Sequence, residues 1–67
     1  MNKEPIRLIK GLRAARGLTQ AELAAKAEMG RVTFLRIEKG IRPAKADELN
    51  RIAGVLGISP RLIRARK

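Results

Sequence analysis

Cysteine and histidine are both missing from the 67 residues, and Phe34 is the only aromatic. Without cysteine the chain has neither a disulfide framework nor thiolate metal ligands. Without histidine it lacks the commonest metal ligand and the usual general base. No pair of carboxylates falls in a pattern that would serve acid–base chemistry, so the sequence predicts no enzyme and no cofactor. The near absence of aromatics counts against single-stranded nucleic acid, whose bases are usually held on stacking platforms. No apolar run approaches the roughly 20 residues of a membrane span. The opening residues MNKEPIRLIK contain no apolar core of a secretory leader, and the expected location is the cytoplasm.

What the chain has in excess is positive charge. Sixteen Lys and Arg face six Asp and Glu, a formal net charge of +10. A polyanionic partner is the expectation, with double-stranded nucleic acid ahead of an anionic membrane surface. A membrane-surface helix is disfavoured because the apolar stripes are needed for a core and leave no aromatic face over. A chain of this length is expected to form one domain, residues 1–67, held together by helix packing alone.

Gly17, Gly30, Gly40, Pro43, Gly57 and Ser59-Pro60 divide the chain into five short pieces rich in Ala, Leu, Ile, Arg and Lys. That composition, without β-branched runs, predicts an all-α fold. The first helix runs from about Pro5 to Arg16, with Leu8, Ile9, Leu12 and Ala15 on one stripe and Gly17 as its stop. Thr19 and Glu22 form a capping box for a second helix over Gln20–Ala27, whose inner face is Leu23, Ala24 and Ala27. A third helix covers Arg31–Lys39 and a fourth about Lys45–Leu56, with Ala46, Leu49, Ile52, Ala53 and Leu56 as its stripe. Ser59 and Pro60 are an N-cap and first residue for a short fifth helix carrying Leu62 and Ile63. Two very short helices joined by a tight turn, over about residues 20–39, have the pattern of a helix-turn-helix.

Three segments then carry a family resemblance: R-x-x-x-G-L-T-Q-x-E-L-A from Arg13 to Ala24, T-F-L-R-I-E-K-G from Thr33 to Gly40, and L-x-x-I-A-x-x-L-G-I-S from Leu49 to Ser59. In this order and spacing they resemble the DNA-binding domain of the XRE superfamily, the phage Cro and cI-type repressors. The resemblance implies a compact five-helix bundle of the lambda-repressor-like type, with helices two and three forming the helix-turn-helix. Small Ala24 fits where those helices cross, and Leu23, Met29, Phe34 and Ile37 fit as the wedge between them. Helix three is then free to enter a major groove about 12 Å wide.

From the resemblance follow residue roles. Arg31, Val32, Leu35 and Arg36 share the outward half of helix three and are the expected base-reading set. An Arg can bond guanine O6 and N7 together, and an apolar side chain can touch a thymine methyl. Leu35 stays open between a base contact, packing on helix two and contact with another protein. Gln20 resembles the family's phosphate-binding Gln, and Thr33, Lys39, Arg42 and Lys45 complete the expected phosphate contacts. Arg13 and Glu38 occupy positions that form a largely buried ion pair in the family. Residues 57–67 are a candidate dimer contact, although Leu62 and Ile63 could equally close a monomer's core.

The sequence departs from the family at Glu28, where Gly is usual and φ is often positive, at Gly30, where a Ser or Thr cap is usual, and at Leu35, commonly polar. The function so implied is a sequence-specific double-stranded DNA binder, acting as a repressor that occupies a palindromic operator as a homodimer. The alternative is an antitoxin-type module that neutralises a protein partner, a toxin for example, and controls its own operon.

Overall fold

The computed structural model describes the backbone of residues 4–63 and the side chains of residues 7–63. Four α-helices follow one another: α1 (Glu4–Ala15), α2 (Gln20–Lys26), α3 (Arg31–Glu38) and α4 (Ala46–Leu56). No strand occurs among the described residues. The fifth segment is not an α-helix there but a single 3-10 turn, Pro60–Leu62. Ser59 accepts a hydrogen bond from the Arg61 N–H at 3.3 Å, so the expected cap forms. The turn closes through i→i+3 bonds, from the N–H of Leu62 to the Ser59 carbonyl at 3.0 Å and from the N–H of Ile63 to the Pro60 carbonyl at 3.2 Å. The basic tail of residues 64–67, part of the segment expected to hold a dimer contact, lies outside the described residues.

Each element sends a few apolar side chains to one core. Ile9 comes from α1, Leu23 and Ala24 from α2 with Ala27 at its cap, Phe34 and Ile37 from α3, and Ile52, Ala53 and Leu56 from α4. Ile63 closes the core behind the 3-10 turn, while its neighbour Leu62 is 54% exposed. Phe34, the only aromatic, is among the largest fully buried side chains, and Met29 packs against the cluster from the turn. Ala24 is buried on α2, and α2 and α3 make the most extensive helix contact among the described residues.

The apolar stripes are narrower than helical periodicity alone predicts. On α1, Leu8 and Ala15 are exposed, leaving Ile9 buried and Leu12 half-buried. This helix packs chiefly against α3, and one neighbour covers a narrower strip than a full amphipathic face. On α4, Ala46 is exposed because it is the first helical residue, ahead of the turns that meet α2.

All four helices end in the same way. The N–H groups of Leu18, Met29, Ile41 and Ile58 donate to the carbonyls of Arg13, Ala24, Arg36 and Ala53, five residues back, at 2.9–3.1 Å. This closure needs a residue with left-handed backbone just before each donor. Gly17, Gly40 and Gly57 supply it with φ of 68°, 76° and 73°, and the second helix uses Glu28 at φ 57°. The helix-turn-helix turn therefore keeps the left-handed geometry and carries its strain on a side-chain-bearing residue, at a cost of about 1 kcal/mol.

Candidate nucleic-acid interface

The position of α3 is fixed by a hydrogen-bonded ion pair beneath it. Arg13 Nε donates to Glu38 Oε2 at 2.8 Å and Nη2 donates to Glu38 Oε1 at 3.4 Å, while Nη1 donates to the Leu18 carbonyl at 2.8 Å. Gln20 Nε2 donates to the same Glu38 Oε1 at 2.7 Å. The Glu38 side chain is only 3% exposed, and one carboxylate thus gathers donors from α1 and from the start of α2 onto the last turn of α3. Removing one partner would leave this buried charge uncompensated, at a cost of about 3–5 kcal/mol.

With Phe34, Ile37 and Glu38 turned inward, an outward arc of about 140° remains between Arg31 and Arg36 at helical spacing. Arg31, Arg36 and Lys39 are exposed, Val32 is 57% exposed, and Leu35 is half-buried without joining the core cluster. Thr33 is half-buried at the margin. Among the described residues, the side chains of Arg31, Arg36 and Lys39 make no hydrogen bond or ion pair to the chain. The N-cap Gly30 is extended (φ −66°, ψ 147°) and offers α3 no side-chain bond, so the first-turn N–H groups stay free of a cap.

A second set of contacts fixes the segment after α3. The N–H groups of Ile41 and Arg42 both donate to the Arg36 carbonyl, at 2.9 and 3.3 Å. Arg42 Nη1 and Nη2 then donate to Glu48 Oε1 and Oε2 at 3.0 and 3.1 Å, and the Lys45 N–H donates to Glu48 Oε1 at 2.9 Å. Lys45 has no acceptor with which to return that bond, so the start of α4 is capped from one side only. The Arg42 hydrogen bonds, and after them the Lys45 N–H, hold the Glu48 carboxyl below its usual range; the Arg42 guanidinium is correspondingly raised. Lys45 itself is exposed beside this clamp.

Of the expected site residues, Arg31, Val32, Leu35 and Arg36 thus share one arc, with Lys39 on it and Lys45 in the following loop. Gln20 and Arg42 stand apart, since each already donates to a buried carboxylate. Sequence patterning does not reveal Glu48 as the partner of Arg42; its only trace is a Glu three residues after the start of a helix. Glu38 and Glu48 are both buried and each is paired with an arginine, so neither carboxylate is presented beside the exposed Arg31, Arg36 and Lys39.

No described helix is long and apolar enough to cross a membrane. A family model described as a helix-turn-helix domain matches residues 7–65, from within α1 through α2, α3, α4 and the 3-10 turn, and is consistent with the XRE type. No curated protein and no solved structure matches the chain.

Proposed function

Because the chain belongs to the helix-turn-helix domain family, we propose that it is a DNA-binding regulator that reads a specific double-stranded site with α3. The observation that carries this reading is the outward arc of α3, where exposed Arg31, Val32 and Arg36 stand free above a helix anchored by Glu38. A helix with side chains is about 10–12 Å across and the major groove is about 12 Å wide, so α3 fits lengthwise. Arg31, Val32, Leu35 and Arg36 face the base edges. Lys39 and Lys45 contact phosphates, joined by Thr33 and by the remaining donors of Gln20 and Arg42 once Glu38 and Glu48 are satisfied.

The protein acts as a repressor by covering an operator that overlaps a promoter. It binds as a homodimer, with Leu62 in the contact, so its operator is palindromic with half-sites about 34 Å apart. Selection from a random duplex pool tests this directly: a palindromic consensus is the expected result, and no enrichment overturns it. Arg36→Ala should relax preference at one base position of the selected site; an unchanged consensus would exclude Arg36 from base reading.

A protein-neutralising role is favoured by one observation, the exposure of Ile41 at 70% beside that of Leu62. A stable hetero-complex that survives high salt would support it, because apolar contacts are not screened.

A further inference from the structure

The outward arc of α3 contains only two kinds of chemistry. Arg31, Arg36 and Lys39 are hydrogen-bond donors without acceptors, and Val32 and Leu35 are apolar. The only carboxylate of the helix, Glu38, is buried and already accepts from Arg13 and Gln20. The uncapped N–H groups of the first turn add further donors.

This inventory restricts what the arc can recognise in a major groove. Adenine presents a donor beside an acceptor and is matched by Asn or Gln, and cytosine N4 needs an acceptor. No Asn, Gln, Asp or Glu is exposed on α3, and the hydroxyl of half-buried Thr33 lies off the outward arc. Guanine, whose N7 and O6 both accept, suits Arg31 and Arg36. The remaining feature that Val32 and Leu35 can meet is a methyl group on pyrimidine C5.

Resting on the DNA-binding reading above, we propose that α3 reads guanine next to a pyrimidine C5-methyl group, and that Val32 makes the methyl itself a determinant of specificity. Arg31 and Arg36 are five residues apart, a rise of about 7.5 Å along the helix, or about two base steps. Val32 lies between them around the arc, so the methyl falls within two steps of a guanine. Leu35 borders Val32 and widens the apolar strip. Thymine and 5-methylcytosine both carry this group.

The test uses the site selected from the random pool. Each thymine is replaced in turn by deoxyuridine, which removes one methyl and leaves base pairing intact. One position per half-site should lose about four-fold in affinity, the effect of burying a single methyl group. In Val32→Ala, whose exposed position spares the core, thymine and uracil should bind alike at that position. Placing cytosine and then 5-methylcytosine there separates the two sources: a gain on methylation shows that either base serves, and no gain assigns the methyl to thymine. A clear consensus with no loss at any uracil position overturns the methyl reading while DNA recognition stands. The same loss in Val32→Ala as in the wild type removes Val32 from the contact. Failure to select any consensus overturns both readings.

Discussion

One residue in this chain carries a backbone cost that its counterparts at the other helix ends avoid. Glu28 holds a left-handed backbone that the other three helix ends assign to glycine, and its side chain is exposed and makes no hydrogen bond that would require it. Glu28→Gly removes the strain, offset in part by the greater freedom glycine has in the unfolded chain. We expect a net gain of about 0.5 kcal/mol, read as a rise in melting temperature on the order of 2–4 °C for a domain of this size. An unchanged or lower melting temperature would mean the Glu28 side chain contributes a contact of its own. Glu38 presents the opposite case, since its buried charge is costly only when a partner is missing. Arg13→Ala should therefore cost about 3–5 kcal/mol in denaturant unfolding, far more than removal of an exposed ion pair such as Arg51–Asp47 at 3.7 Å.

At the scale of elements, the loop between α3 and α4 is held by carboxylate bonds that depend on pH. The folded-state pKa of Glu48 is lowered by Arg42 and then by the Lys45 N–H, so the protein favours its charged form more than the unfolded chain does. That contribution is complete above the unfolded carboxylate value of about 4.3 and fades as pH falls through the folded value. Glu22, lowered by the N–H and hydroxyl of Thr19, has the same sign. Melting temperature should hold steady from pH 7 to about pH 5 and fall below it, and Glu48→Gln should flatten the fall. These elements also show how far the sequence could be read. The glycines, the Thr19–Glu22 box and the inward Leu23, Phe34 and Ile37 are local signals, and local signals place helices and their faces. The partner of a long polar side chain is a non-local choice. Arg13 and Glu38, 25 residues apart, can be paired beforehand only through the family resemblance, and Gln20–Glu38 and Arg42–Glu48 have no pattern to announce them. Leu8 and Ala46 fit the helical period but find no neighbour to cover them, because period gives direction and not coverage.

For the whole molecule the question is whether a net charge of +10 acts as a diffuse field or through a few placed cations. Exposed cations occur on several elements, with Arg7 and Lys10 on α1 and Arg61 on the 3-10 turn as well as Lys39 and Lys45 around α3. A diffuse field would make them interchangeable. Direct phosphate contact would not, because each neutralised phosphate releases counterions and adds about 0.9 to the slope of log affinity against log salt. The folded arrangement favours placed contacts: Glu38 anchors α3 through Arg13 and Gln20, and the bonds of Arg42 to Glu48 hold the loop that carries Lys45. Lys39→Ala and Lys45→Ala should each lower the slope by about one and weaken binding to all duplex sequences alike, leaving the preferred site unchanged. Lys10→Ala makes the same change in net charge from α1 and should leave the slope near its original value. Equal losses from all three substitutions, measured by titration of a labelled duplex across a salt series, would show that affinity comes from total charge and not from the placement of α3 and its following loop.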